Sequence, residues 1–229
     1  MNLFTLATMA VGAPLRTLAQ AFAQQTGHQV HVQVDTSPNI TRRLAAGETA
    51  DILIAQAATV GQVIAESRAF ADSRVIIGKI GVGIAISRGG ARPDISTTDA
   101  LKVSLLQADA VVCSGGASGV HVEQMLRDIG VADRIAATTV RLPSGAAVME
   151  RLGASLGNEI GFTMISEIRL GELHGGSLVG PLPAAFQRYT AYDAVVMSGS
   201  QAPEAARAFV HVIGTPAAQQ TFAASGWEF

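Results

Sequence analysis

At 229 residues, with 48% apolar and 15% charged residues, the chain is long enough for one large core or two smaller ones. A formal net charge of −2, with no basic run and no aromatic residues interleaved with lysines, speaks against a nucleic-acid partner. The single cysteine, Cys113, excludes an internal disulfide and a Cys-x-x-Cys site, and no segment reaches the ~18–20 apolar residues of a bilayer span, so no membrane insertion is expected.

Asn2 to Ala10 reads as a buried strand and not as a leader, because the first charge, Arg16, follows the apolar run instead of preceding it. The expected location is cytoplasmic if Met1 is the native start and periplasmic if a signal peptide was removed. Pro14 suits a helix's first turn, and Leu15, Leu18 and Phe22 follow at helical spacing up to Gly27. His28 to Val34 alternates valine with polar residues, the mark of a half-buried strand, which places His28 and His31 at solvated positions. Asp35 to Asn39 is a turn cluster, Ile40 to Gly47 a short helix, and Ala50 to Ala55 a second buried strand followed by a helix. This alternation of strand and helix predicts a parallel sheet with helices on its faces.

Gly78 to Ser87 is a glycine-studded strand. A helix over Thr97 to Gln107, a strand at Ala110 to Cys113 and a helix beginning near Ser118 follow. Ser144 to Gly153 reads as a helix, Asn158 to Ile168 as a strand with a short helix, and Arg188 to Met197 as a strand. Pro203 to Ile213 and Pro216 to Ala224 close the chain as helices. Strand-like crossings near 78 and 190 imply an inserted domain: lobe 1 from 1–77 plus 192–229, lobe 2 from 78–191. The expected fold class is α/β and two-lobed, each lobe a mainly parallel sheet flanked by helices.

In such sheets ligands bind beyond the carboxyl ends of the strands, where helix N-termini present free N–H groups that favour anions. Four junctions there carry small or hydroxyl residues: Thr8-Met9-Ala10, Thr36 to Asn39, Ser114 to Gly119, and Leu142 to Gly145. Thr163 to Ser166 forms a fifth. The expected ligand is a small anion in an inter-lobe cleft, bound by Thr8, Met9, Ser37, Asn39, Ser114, Gly115, Ser118, Gly119, Ser144, Gly145 and Met164. The same residue types also serve as plain N-caps. SGGASG, Ser114 to Gly119, lacks the Lys-Ser/Thr ending of a P-loop and matches neither G-x-G-x-x-G nor G-x-S-x-G, so no nucleotide cofactor is expected, and no metal. Arg42 and Arg43 follow the second junction, and a guanidinium fork suits a carboxylate. Glu167 follows the fifth junction as a candidate acid.

Several stretches in order resemble the substrate-binding proteins of molybdate-type ABC transporters, which have the type II periplasmic-binding-protein fold. They are LATMAVGAPLRTLAQAFAQQTGHQV near the start, GETADILIAQ (Gly47 to Gln56), GNEIGFTMISEI (Gly157 to Ile168) and GTPAAQQTFAASGWEF at the end. The resemblance covers nearly the whole chain and implies a solute-binding protein. If exported, it would deliver its ligand to an ABC permease. It also implies that Thr8 and Ser37 are the hydroxyls that touch the ligand. Where the molybdate binders carry a tyrosine this chain has Met164, which favours a carboxylate over a metal oxyanion. Enzymes resembling aconitate isomerase are related to the same group. The alternative is therefore a cofactor-independent isomerase or lyase of small di- or tricarboxylic acids, with His121 as acid/base.

Overall fold

The computed structural model describes residues 1–116 and 118–229. They fall into two compact units: unit 1 holds Met1–Lys79 and Thr190–Phe229, and unit 2 holds Ile80–Tyr189. Unit 1 runs β1 (Asn2–Thr8), α1 (Gly12–Thr26), β2 (Gln29–Asp35), α2 (Ser37–Ala45), β3 (Ile52–Gln56), α3 (Ala57–Ala65) and the first part of β4 (Val75–Ile86). The chain passes into unit 2 inside β4. Unit 2 continues with α4 (Thr98–Gln107), β5 (Ala110–Ser114), α5 (Ala117–Asp128), β6 (Thr139–Leu142), α6 (Gly145–Ala154), β7 (Glu159–Met164), α7 (Ile165–Gly171) and β8 (Ser177–Pro181). It returns to unit 1 at the start of β9 (Tyr189–Val196), followed by α8 (Pro203–Ile213) and α9 (Pro216–Ala224).

Within unit 1 the strand order is β2-β1-β3-β9. The first three are parallel and β9 runs antiparallel to β3. Ile52, Leu53, Ile54 and Ala55 are all fully buried, as a central strand covered on both faces requires. Leu6, Leu53, Val60, Val63 and Val195 form the core on one face. Phe22 of α1 meets Phe209 of α8 with ring centroids 5.1 Å apart. In unit 2 the order is β8-β4-β7-β5-β6, with β5 parallel to β6 and β7, and β4 antiparallel to β7 and β8. Val112, Val148, Met149, Leu152 and Ile168 anchor its core.

Two local differences from the sequence expectation have simple causes. α2 starts at Ser37, inside the expected turn cluster, because Pro38 fits a helix's first turn and needs no N–H there. β8 was not anticipated: Gly180 and Pro181 weaken its strand pattern, and it forms by antiparallel pairing along β4.

Candidate functional site

In unit 1 both expected hydroxyls lie at the carboxyl ends of parallel strands. Thr8 ends β1 just before a 3-10 turn, Met9–Val11, that leads into α1. Thr8 is 2% exposed, and its hydroxyl has no hydrogen-bond partner among the described residues. It caps nothing. An orphan buried hydroxyl is uncommon in a folded protein and asks for a partner. Met9, half-buried, follows it. Ser37 opens α2, and its Oγ accepts from Nε2 of Gln56, 2.5 Å away at the end of β3. A hydroxyl that accepts in this way keeps its own proton to donate.

Asn39 and Arg43 are both bonded to Asp35. Asn39 Nδ2 donates to Asp35 Oδ1 at 2.7 Å. Arg43 donates to Asp35 at 3.3 Å and forks onto Glu48 through Nε and Nη2. Arg42 is exposed. Burial pushes the Asp35 carboxyl up, but the Asn39 amide, the Thr36 N–H and Arg43 together outweigh it and hold the group below its ordinary value.

In unit 2 the β5–α5 junction is closed on itself. Ser114 Oγ and Ser118 Oγ lie 2.9 Å apart, and the Gly115 N–H donates to the Leu142 carbonyl at 2.6 Å. Gly119 packs directly over the end of β5, where a Cβ would fall far inside contact distance of the Ser114 carbonyl oxygen. Only glycine permits that approach. Cys113 is fully buried, and burial pushes its thiol up to about 12, so it is no nucleophile at neutral pH. Ser144 caps α6, accepting from the Ala147 N–H at 3.2 Å.

His121 is the fifth residue of α5, just past the first turn, and is half-buried. Its Nε2 lies 2.7 Å from the Phe186 carbonyl oxygen. Next to Phe186, Gln187 clamps both the N–H and the carbonyl of Val82 in β4. His121 thus pins the segment between β8 and β9. Met164 is 8% exposed and ends β7 as the N-cap position of α7.

Glu167, third in α7, is placed differently. Thr163, fully buried, donates its hydroxyl to Glu167 Oε2. Gly145 faces the same spot, where a Cβ would collide with Glu167 Oε2 and Thr163 Oγ1. Burial pushes the Glu167 carboxyl above the ordinary glutamate range, against the pull of the hydrogen bonds from the Thr163 hydroxyl and the Met164 backbone. Beside it the Ser166 hydroxyl is buried and has no partner among the described residues.

The sequence model of one family, described as bacterial extracellular solute-binding protein, matches residues 3–228. The chain belongs to this family. An aconitate isomerase from Pseudomonas sp. is 30% identical over 98% of this solute-binding protein and 87% of its own length. The periplasmic molybdate-binding protein of Azotobacter vinelandii superposes with a TM-score of 0.79 at 18% identity, covering 99% of each chain. The sulfate-binding protein of Mycobacterium tuberculosis superposes with a TM-score of 0.73 at 19% identity, over 99% of this chain and 86% of that one. The fold of this solute-binding protein is therefore the type II periplasmic-binding-protein fold. No helix among the described residues is long and apolar enough to cross a membrane. Also among them, no group of three or more His, Cys, Asp or Glu is placed to hold a metal ion.

Gln56 escaped the sequence reading as a site group, and Glu167 was read only as a candidate acid. Gln56 ends a strand in a stretch read only as a buried strand, and nothing in sequence announces its bond to Ser37. Glu167 was visible as a first-turn acid, but its enclosure depends on Gly145 and Thr163, which only folding brings to it.

Proposed function

We propose that this solute-binding protein binds a small carboxylate anion at the strand-end junctions. The unit 1 contacts are Thr8, Met9, Ser37 and Asn39. The unit 2 contacts are Ser114, Gly115, Ser118, Gly119, Ser144, Gly145 and Met164. The observation that carries the reading is the Thr8 hydroxyl at the end of β1, 2% exposed and without a partner among the described residues. An anion's oxygen would supply the acceptor that Thr8 lacks. Ser37, oriented by Gln56, adds a second neutral donor. The likeness to an aconitate isomerase, and methionine at 164 where the molybdate binders carry tyrosine, favour a carboxylate over a metal oxyanion. An exported form would hand this ligand to an ABC permease.

The likeness to the Pseudomonas isomerase also supports a second reading: cofactor-independent isomerisation or elimination on a small di- or tricarboxylic acid, with His121 as acid/base. A thermal-shift screen against molybdate, tungstate, sulfate, citrate, cis-aconitate and trans-aconitate tests both. A ligand at 100 times its dissociation constant stabilises the fold by about 2.7 kcal/mol. Stabilisation by carboxylates is expected, and a response to molybdate or tungstate alone refutes the carboxylate assignment. Proton NMR of the stabilising acid, incubated with native protein and with His121→Ala, then tests for turnover. New isomer peaks lost in the variant establish the enzyme.

A further inference from the structure

The Glu167 carboxyl is enclosed by β7, α6 and α7. Thr163 in β7 donates to Oε2, the backbone at Met164 reaches the carboxyl as in a capping box, and Gly145 of α6 leaves the space it occupies. Among the described residues no cation balances it. The charged or titratable side chains on the elements packed around it are Glu150 and Arg151 of α6, Glu159 of β7, Arg169 of α7, and Glu172 and His174 just beyond. Arg151 is bonded to Glu159, and Arg169 to Glu172. On α5, which packs on β7, His121 is held by the Phe186 carbonyl, Glu123 by Arg141, and Arg127 and Asp128 by Gln124; of the strands paired with β7, β5 carries Cys113 and β4 carries Lys79. None of these acts on Glu167, so the desolvation of this half-buried residue's carboxyl is opposed by the Thr163 and Met164 hydrogen bonds and by no opposite charge among the described residues.

We propose that Glu167 is a proton-carrying group of the unit 2 ligand site, so that an anion bound there enters together with one proton. The proposal rests on the reading that the unit 2 junctions take part in anion binding. A neutral carboxylic acid accepts from Thr163 at Oε2 and donates from Oε1, whereas a carboxylate in the same place only accepts and repels the ligand. Proton and anion then stabilise each other, and by linkage the coupling is equal in both directions. The chemistry selected is an anion with an acceptor oxygen to offer a neutral acid.

The test uses the full chain and Glu167→Gln, which keeps an oxygen to accept from Thr163. In the free native protein, labelled with 13C at glutamate carboxyls, the resonance absent from Glu167→Gln should titrate above the ordinary glutamate range. Dissociation constants for sulfate, citrate and trans-aconitate are then measured from pH 5 to 8. Above that midpoint, native affinity should fall by up to about tenfold more per pH unit than the variant's. Equal pH slopes in the two proteins, or an ordinary midpoint for Glu167, overturn the proposal. If Glu167 titrates high but none of the three anions binds either protein at any pH, the anion-binding reading itself fails and the proposal falls with it.

Discussion

Asp35 and Glu167 are both acids near the carboxyl end of a strand, yet their surroundings drive them apart. Asp35, at the end of β2, has the Thr36 N–H, the Asn39 amide and the Arg43 guanidinium on its oxygens, and these hold it ionised against its burial. Glu167, after β7, has a hydroxyl and a backbone group but no cation among the described residues, and burial prevails. Place in the fold does not decide the charge. The donors on the carboxylate do, the Asn39 amide and the Thr36 N–H first and the Arg43 guanidinium after them.

The most severe way to break this contrast is Gly145→Ala. The new methyl would meet the Glu167 and Thr163 side chains, not a backbone wall, so the carboxyl must swing out. A loss of about 2–3 kcal/mol is expected, from overpacking plus the broken Thr163 bond. The Glu167 titration should move back toward the ordinary glutamate range as the group reaches water. Chemical denaturation and the carboxyl NMR titration read the two effects. A stable variant with an unchanged Glu167 would show that Gly145 does not shape the enclosure.

Arg43→Met removes the cation that only the acid of unit 1 has, leaving Asp35 with the Asn39 amide and the Thr36 N–H. It strips the cation from Asp35 and from Glu48, two partly exposed partners, so the expected cost at pH 7 is about 1–2 kcal/mol. The pH dependence gives the sign. Asp35 and Glu48 are both held low, so they contribute stability above the ordinary carboxylate range that is lost as pH falls through their folded values. The variant should lose less stability on acidification than the native chain. An unchanged acid limb in melts between pH 3 and 7 would refute this account.

Glu167 predicts the opposite slope. A carboxyl held high contributes stability that is full below the ordinary glutamate range and lost as pH rises toward its folded value. Glu167→Gln should remove that decline, leaving the variant relatively more stable on the neutral side than on the acid side. Identical stability profiles from pH 4 to 8 would mean that the carboxyl is solvated in solution.

Much of the fold was legible in the sequence, because alternating Val-Ile runs and helical apolar spacing are local signals. The bounds of α8 and α9 follow from Pro203 and Pro216, each at the first position of its helix. The strand-end junctions were legible for the same reason, since glycine and hydroxyl residues cluster where strands turn into helices. What each side chain does there was not. The Ser114–Ser118 pair, the hold of His121 on Phe186 and the Gln56–Ser37 bond all depend on neighbours fixed by tertiary packing. Arg43, a natural carboxylate fork by residue type, is engaged by Asp35 and Glu48 of its own unit.

Thr8→Val should have the smallest effect on the fold and a large one on the ligand. Most buried hydroxyls lose a hydrogen bond when they become methyl groups, at a cost of about 1 kcal/mol. Thr8 has none to lose among the described residues, and valine fills nearly the same volume, so stability should change by less than about 0.5 kcal/mol or rise. Ser114→Ala, which breaks the 2.9 Å bond to Ser118, is the counterpart in unit 2 and should destabilise by about 1 kcal/mol. Binding of the anion found in the thermal-shift screen should weaken about tenfold or more in Thr8→Val, about 1.4 kcal/mol. Thr8→Ser, which keeps the oxygen, should retain most of the affinity. If Thr8→Val instead costs more than about 1 kcal/mol of stability and leaves the affinity intact, the hydroxyl is satisfied by ordered water inside unit 1. The Thr8 contact would then have to be withdrawn from the ligand site.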